Sequence, residues 1–393
     1  MSNIKAIFDY KCNENINTDI FPNLITGGAT ITHNIVESTA DMQAPIGGKV
    51  VSQTKRYFDF QTSQQQQYLI TGILETSGGI SGSISRIGSF DDNNDKIPIS
   101  NEDRGGDGHF FELNGKTLYI VQRRSTNSSP YQEEIRVEQN NWNKDKLNGR
   151  GASAFNLDVN EINTFIIKRE WSCSNEVSIG VMVNKKIIIA HVFTNNNLIK
   201  PYMKRSNLPI RYELDNTNGT ATANMKQICS SYSVIGNYNP RLKLFSINSG
   251  LVSHPTINVH YITIRLKNNC NRTVINFDKL NYRSPSMSAS ESILLKILRN
   301  PVLGISGTWK SADNNSAIEY LINDDANYTN GGELIYQQLL YRSSLTDLSL
   351  LNDRFIFGSL IDGTSDIITI LFDETLGSRI SYGGCILTWI ENL

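Results

Sequence analysis

The segment EEIRVE, residues 133–138, sets charged groups where they could act together. Side chains of a strand alternate between its faces, so Glu134, Arg136 and Glu138 share one face while Glu133 points to the other. A facing pair of acids is what glycoside cleavage needs, one to protonate the leaving oxygen and one to assist attack. Such a face could line a sugar cleft, with Glu134 as the acid a hydrolytic reading would have to use. An exposed strand face of alternating charge is the more frequent use of this pattern, with Ile135 and Val137 supplying the buried side. The sequence therefore predicts no catalytic residue and no enzyme. A second candidate is DDNNDKIPISNE, residues 91–102. Asp91, Asn93, Asp95 and Glu102 stand at positions 1, 3, 5 and 12 of an EF-hand-like loop, where oxygens converge on calcium. Position 6 of that loop is Lys96 where the sharp turn needs Gly, and the flanking segments read as strands. An acidic solvated turn is the plainer expectation. Calcium is retained as a candidate because sandwich proteins bind it with other spacings.

Other chemistries find less support. Ser77–Ser83, SGGISGS, matches neither a Walker loop nor a dinucleotide fingerprint, and no helix pattern follows it. No GxSxG elbow is present. His33, His109, His191, His254 and His260 form neither HxH nor HExxH, and His191 shares its strand face with Ile189 and Phe193, as a packed histidine would. Cys12, Cys173, Cys229, Cys270 and Cys385 are scattered and odd in number, without a CxxC pair, and read as buried free thiols of a reducing compartment. Tyr57, Phe58, Phe60, Tyr68, Trp142 and Trp171 could stack on sugar rings, although core packing is the commoner role. Arg123, Arg124 and Arg136 could pair with carboxylates on a second copy of the chain, against an ordinary solvated surface. No cofactor is expected.

Composition sets the frame for these elements. Of 393 residues 39% are hydrophobic and only 19% charged, with Asn, Ser, Thr, Gln and Ile filling the deficit, which favours strands and turns. Lys plus Arg number 37 against 38 Asp plus Glu, so the positive field that nucleic-acid binding needs is missing. No run approaches the ~20 apolar residues of a membrane helix. The opening MSNIKAIFDYKCNENIN lacks the apolar core of an export signal, so the chain is not expected to leave by that route, and sequons such as Asn327-Tyr328-Thr329 read as incidental.

Strand signals recur at Thr30–Val36, Lys49–Phe60, Tyr68–Leu74, Thr164–Trp171, Leu208–Leu214 and Met225–Val234, with the Gln run before Tyr68 read as an exposed turn. His109–Leu113 and Lys116–Arg124 flank Asn114-Gly115 as a hairpin. Val177–Val183 and Ile187–Phe193 flank the three-residue connection Asn184-Lys185-Lys186. Further strands are read at Arg241–Asn248, Asn258–Leu266, Thr308–Lys310, Gly332–Leu340, Asp353–Leu360, Asp366–Phe372 and Gly384–Ile390, while Ser292–Leu298 is open between strand and helix. Helix should stay below about 15%, against the ~30% of ordinary domains. The fold class is all-β: an antiparallel sandwich or jelly roll, then a second, smaller β-domain. The expected division is an N-terminal arm 1–29, a sandwich 30–280, a linker 281–290 of composition NYRSPSMSAS, and a C-terminal β-domain 291–393.

A set of short motifs resembles the β-sandwich structural proteins of virions of large DNA viruses and marine tailed phages. These are QTKRYFDFQ (53–61), RIGSFDD (86–92), GHFFELNG (108–115), YIVQRRS (119–125), RVEQNNWNKDKLNGRG (136–151), FIIKREW (165–171), NLPIRYEL (207–214), MKQICSS (225–231), IDGTSDI (361–367) and LTWIENL (387–393). The resemblance implies a concanavalin-like or jelly-roll sandwich in a virion component, with no known catalytic set. It departs after Trp171, where a glycine turn is expected and Ser172-Cys173-Ser174-Asn175 stands. The function expected from it is a minor capsid, tail or fibre component of the virion. Such a component works by packing against other virion structural proteins and copies of itself, without nucleic acid or membrane. The alternative is a glycan-binding host-attachment module with specificity in its loops. A polysaccharide-degrading enzyme comes third.

Overall fold

β-branched and aromatic runs bounded by Gly, Asn and Asp give strands here, as their χ1 stiffness and turn chemistry require. The structure is a computed structural model that describes residues 4–58, 64–92, 106–126, 133–170, 176–196, 201–204, 206–236, 242–253, 259–288, 290–374 and 382–392. Among the described residues the one α-helix is α1, Leu351–Arg354. The all-β class expected from composition is present. The chain divides into two units, Met1–Pro240 and Arg241–Leu393.

The first unit begins with β1 (Ile4–Lys11), β2 (Asn23–Thr26), β3 (Thr30–Asn34), β4 (Thr39–Ala44) and β5 (Gly48–Gln53). It continues with β6 (Gln65–Ile73), β7 (Ile84–Phe90), β8 (Gly108–Asn114), β9 (Thr117–Arg124) and β10 (Glu133–Glu138). Then follow β11 (Asn163–Glu170), β12 (Glu176–Val183), β13 (Lys186–Thr194), β14 (Ile210–Asn216) and β15 (Ala223–Ile235). An eight-stranded sheet runs β13-β12-β11-β6-β15-β4-β3, with β1 also on β15, and a seven-stranded sheet runs β10-β9-β8-β7-β14-β5-β2. The long β15 takes β4 along its first half and β1 along its second. All these pairings are antiparallel. The two sheets bury Ile87, Phe111, Ile120 and Tyr212 from one against Phe165, Ile167 and Met225 from the other. Phe111 and Phe165 meet across the gap with ring centroids 4.7 Å apart. That is the expected antiparallel sandwich.

The second unit contains β16 (Leu242–Asn248), β17 (Val252–Ser253), β18 (Val259–Leu266), β19 (Ile275–Arg283) and β20 (Ile293–Arg299). Next come β21 (Val302–Ile305), β22 (Lys310–Ser311), β23 (Ile318–Ile322) and β24 (Ala326–Asn330). The last four are β25 (Glu333–Leu340), β26 (Ser343–Asp347), β27 (Ile367–Glu374) and β28 (Tyr382–Asn392). A five-stranded sheet, β16-β28-β19-β26 with β17 on β28, packs on a six-stranded sheet, β22-β23-β18-β27-β20-β25, and β21 pairs β24 apart. Tyr282 of β19 stacks on Phe372 of β27 at 4.7 Å, joining the two layers. Trp389, fully buried, donates through Nε1 to Glu391 at 2.8 Å, so the buried indole and carboxylate satisfy each other.

Several expectations are corrected. Of the expected arm 1–29, residues 4–29 are not free. β1 pairs β15 and β2 pairs β5, because Tyr10, Cys12 and Phe21 are core side chains, Tyr10 and Phe21 lying 4.6 Å apart. The Gln run is no exposed turn. Gln65–Gln67 open the central strand β6, and Gln66, fully buried, donates to Tyr232 Oη at 2.9 Å. The linker expected at 281–290 lies inside the second unit. Asn281–Arg283 complete β19, whose alternate residues face outward and so look polar in sequence. The boundary falls instead at Pro240, since β16 and β19 both pair with β28, close to the chain end. Ser292–Leu298 resolves as strand β20. Asp353–Leu360 is not a strand but the end of α1 and an irregular stretch that buries Phe355 and Phe357.

Both hairpins form, each with a different centre. Asn114 pairs Thr117, so the turn is Gly115-Lys116, with Gly115 at φ +58°. Val183 pairs Lys186, which leaves a two-residue turn, Asn184 at φ +49° and Lys185 at φ +64°. Positive φ at both central residues is the two-residue geometry that matches strand twist, and the sequence carries Lys where Gly is usual. A left-handed L-residue costs roughly 1–2 kcal/mol, against roughly 0.5–1 kcal/mol for the extra freedom Gly loses on folding. Lys185→Gly is therefore expected to stabilise the first unit by up to about 1 kcal/mol. Urea unfolding reads this as a higher midpoint, and a lower midpoint would refute it.

Candidate functional site

Antiparallel register lines up the outer face of the seven-stranded sheet in rows. One row runs Glu138, Tyr119, Glu112, Arg86, Glu213 and Val51 across β10, β9, β8, β7, β14 and β5. The next runs Arg136, Val121, Phe110, Gly88, Arg211 and Gln53. A third carries Glu134, Arg123, Gly108 and Phe90. Gly88 is the gap that lets Phe110 lie flat, because a Cβ there would sit 2.5 Å from Phe110 Cβ.

Across these rows the charges form a ladder of alternating sign. Arg123 Nε donates to Glu134 Oε1 at 2.8 Å, and Glu134 Oε2 also takes Arg136 Nη2. Arg136 Nε donates to Glu112 Oε1 at 2.7 Å, and Arg86 Nε to Glu112 Oε2 at 2.8 Å. Arg86 Nη1 reaches Glu213 Oε1 at 2.5 Å, while Arg211 Nε donates to Glu213 Oε2 at 2.8 Å. Arg211 Nη1 ends the run on Gln53 Oε1 at 3.0 Å. Phe90 and Phe110 fill the space between, with the Arg123 guanidinium 5.0 Å from the Phe110 centroid.

Glu112, Glu213 and Arg211 are fully buried. Burial by itself would raise the Glu112 pKa, but hydrogen bonds and charge from Arg136 and Arg86 outweigh it and hold the group below the usual carboxylate range. Burial likewise opposes ionisation of Glu213, and Arg211, Lys49 and Arg86 overcome it, holding that group well below. A glycosidic acid needs the opposite, a pKa raised so that a proton remains to be given. These carboxylates serve as counter-ions.

Glu134 and Arg136 do share a face, and both enter the ladder. Glu133 faces the other way and pairs Arg124 at 2.8 Å. Arg123 is buried and Arg136 is exposed at the sheet surface, and carboxylates of their own sheet engage both. Asp91 is buried and accepts the Asp107 amide at 3.2 Å, whereas Asn93, Asp95 and Glu102 lie outside the described residues. No group of three or more His, Cys, Asp or Glu able to hold a metal occurs among the described residues. Asp107, which the sequence reading passed over, is pushed up to about 6 by burial and by Asp91. His191 packs edge-on against Phe193 at 4.6 Å, the core role expected. Phe58, Tyr68 and Trp142 are core as well, while Phe60 and Trp171 lie outside the described residues. Cys12 and Cys385 are buried free thiols, Cys229 and Cys270 are half-buried, and Cys173 lies outside the described residues.

An open groove of about 430 Å³ lies on the outer face of the five-stranded sheet in the second unit. Register builds its floor. Asn248, Ile386, Asn281 and Leu345 form one row across β16, β28, β19 and β26, and Gly384, Arg283 and Ser343 form the next. Leu251 overhangs from the turn after β16. That turn settles onto the sheet only because residue 384 is Gly, where a Cβ would stand 2.3 Å from Gly250 O. Leu251 and Leu345 are 64% and 62% exposed and make apolar walls. Asn248 Oδ1 accepts the Gly250 amide at 2.9 Å, and Ser344 Oγ accepts the Tyr341 amide at 2.9 Å. The side chains of Asn281, Arg283 and Ser343 make no hydrogen bond or ion pair among the described residues, which leaves their polar groups to solvent. Local sequence does not reveal this groove, because its residues come from separate stretches of chain and Asn281–Arg283 have the composition of a linker.

No family model matches the chain, and no curated protein matches it in sequence. Among solved structures, an endo-β-1,4-glucuronan lyase from the fungus Trichoderma reesei is similar over 59% of this chain and 96% of that chain, at 10% identity and a TM-score of 0.39. A Bacillus licheniformis β-glucanase is similar over 60% of this chain and 98% of that one, at 11% identity and a TM-score of 0.35. Arcelin-5, a lectin-like defence protein from Phaseolus vulgaris, is similar over 60% and 99%, at 11% identity and a TM-score of 0.34. At these values the likeness is one of sandwich architecture and carries no argument about chemistry.

The ladder predicts an acid-dependent stability. Because the folded pKa of Glu213 is depressed, its contribution is complete above the unfolded carboxylate value of about 4.3 and is lost as pH falls through the folded value. Glu213→Gln should lower unfolding free energy at pH 7 by roughly 3–5 kcal/mol, since Arg211 and Arg86 keep buried charge without a counter-ion. It should also flatten the acid limb of the stability profile. An unchanged limb in urea titrations from pH 7 to 2.5 would show that Glu213 does not carry it.

Proposed function

We propose that the chain is a glycan-binding protein that binds without turnover, with the groove of the second unit as its ligand surface. The observation that carries this reading is the composition of that groove. Amide, hydroxyl and guanidinium groups of Asn281, Ser343 and Arg283 are left unengaged beside the apolar walls of Leu251, Leu345 and Ile386. A sugar presents the complementary set: hydroxyls that donate and accept, and C–H faces that rest on aliphatic side chains. About 430 Å³ is within the range of small-ligand sites and suits a short oligosaccharide segment. The ionised state of Glu112 and Glu213 supports binding over cleavage in the first unit, because neither has a proton to donate. Together with the resemblance to virion proteins, this describes a host-attachment module on a particle surface.

A second reading is the structural one, a minor capsid, tail or fibre component that acts by packing. It is favoured by the exposed apolar side chains of the second unit, Leu242, Leu244, Leu334, Leu339 and Leu350 among them. Apolar side chains mark a partner surface where they lie together, as Leu242 and Leu244 do on one face of β16.

A glycan array probed with the whole chain tests the first reading. Binding to a defined set of neutral glycans is expected, and Asn281→Ala and Arg283→Ala should each weaken it about tenfold, the equivalent of one to two lost hydrogen bonds. Both positions are on the sheet surface, so far-ultraviolet circular dichroism should not change. Full binding in both variants, or none in the wild-type chain, would refute the assignment. Sedimentation at micromolar concentration addresses the second reading, for which a strict monomer absent from purified particles is the disproof.

A further inference from the structure

Tyr341 and Tyr382, 55% and 53% exposed, are the most exposed aromatic side chains among the described residues, and the pairing of β28 and β19 brings both to one end of the groove. Tyr382 opens β28, along which burial alternates residue by residue as far as Ile390. Cys385, Leu387 and Trp389 point into the core, so Tyr382, Gly384 and Ile386 share the outer face. Gly384 and Ile386 line the groove, and Tyr382 is the next outward residue beyond them. Its backbone is pinned on both sides. The N–H donates to Ser286 Oγ at 3.0 Å, and the carbonyl accepts Ser284 Oγ at 2.5 Å. The Ser284 amide donates to Arg342 O at 2.9 Å, so one buried serine ties Tyr382 to the turn that carries Tyr341.

Between Tyr382 and Ile386 the outward row lacks a side chain only at Gly384. Leu251 fills that gap, its Cδ2 lying 3.6 Å from where a Cβ on residue 384 would stand. Tyr382, Leu251 and Ile386 therefore make an apolar strip along β28, with Asn281 and Arg283 of β19 beside it. Four residues of strand span about 13 Å, more than one sugar ring covers. A pyranose rests its C–H face on an aromatic ring while the hydroxyls at its edge reach polar side chains. Tyrosine suits the task because its ring is broad and has few torsions to freeze. The Tyr382 hydroxyl makes no hydrogen bond among the described residues.

We propose that Tyr382 carries the site past the groove by stacking on a sugar ring beyond those held at Asn281 and Arg283, so that the ligand is an extended run of linked neutral pyranoses rather than a single sugar. It rests on the groove being the ligand surface and adds chain length and linkage to that assignment. A strand is nearly straight, so a glycan lying along β28 must be extended as well. Equatorial linkages, as in β-1,4-chains of glucose, mannose or xylose, keep the rings in line with their C–H faces open. An α-1,4-chain coils and leaves the strip after a ring or two.

Cellohexaose, mannohexaose and xylohexaose are the probes, each beside its disaccharide, titrated calorimetrically into the whole chain. At least one hexasaccharide should bind about tenfold more tightly than its disaccharide, and maltohexaose should show no such gain over maltose. Tyr382→Ala should weaken that hexasaccharide about tenfold, whereas Tyr382→Phe should keep the gain because the ring is retained. Equal affinity for hexasaccharide and disaccharide, an equal gain for maltohexaose, or a gain that survives in Tyr382→Ala overturns the proposal and leaves the groove assignment standing. Absence of binding to all three hexasaccharides also overturns it, and the Asn281 and Arg283 variants on the glycan array then judge the groove separately. Should Tyr382→Ala not fold, the length dependence of the wild-type chain decides alone.

Discussion

An ion moved out of water loses several kcal/mol of solvation, and only an opposite charge in contact returns it. The outer face of the seven-stranded sheet meets this constraint by register. Arg123, Glu134, Arg136, Glu112, Arg86, Glu213 and Arg211 alternate in sign across β9, β10, β8, β7 and β14, so each buried charge has a neighbour of opposite sign. The arrangement tolerates no slip. Moving one strand by one residue would send its charged set into the hydrophobic gap and its apolar set outward. On β8 that exchange would swap Glu112 for Phe111, which packs 4.7 Å from Phe165 in the core. The ladder thus couples strand pairing to sandwich packing.

The two units use their outer sheet faces in opposite ways. In the first, the face is buried and ionic, with its donors and acceptors engaged by one another. In the second, the outer face of the five-stranded sheet is open and largely neutral. Asn281, Arg283 and Ser343 stand in register rows beside exposed leucines. A fully satisfied network gives rigidity and leaves little for a ligand, whereas unsatisfied groups at a surface are held by water that a ligand can displace. This contrast supports the ligand surface proposed on the second unit.

Arg169 shows the same rule from the other side. It lies one strand layer from the ladder and has hydroxyl partners, yet no anionic one. The interior of a sandwich seldom places a guanidinium on a core row, since burial costs an ion its hydration. Its counterpart in the second unit is Glu391, also fully buried, whose oxygens take Ser316 Oγ at 2.5 Å, Trp389 Nε1 at 2.8 Å and the Ala317 amide at 2.8 Å.

The class of structure is legible in the residues alone, because β-branched alternation and turn residues act over a few positions. The strands Thr30–Asn34, Ile210–Asn216 and Ile367–Glu374, both hairpins and the opposite facing of Glu133 and Glu134 all follow from such local rules. Where distant contacts outvote local composition, the sequence was silent or misleading. Polar Gln65–Gln67 lie inside a central strand because β11 and β15 flank them, and Asn281–Arg283 look like a linker until β28 pairs with them. The partners of Arg123, the groove around Asn281 and the lack of a carboxylate beside Arg169 emerge only once the chain is folded. Each depends on which strands become neighbours, and hydrogen-bonded registers between residues far apart in the chain set that, beyond the reach of any local spacing.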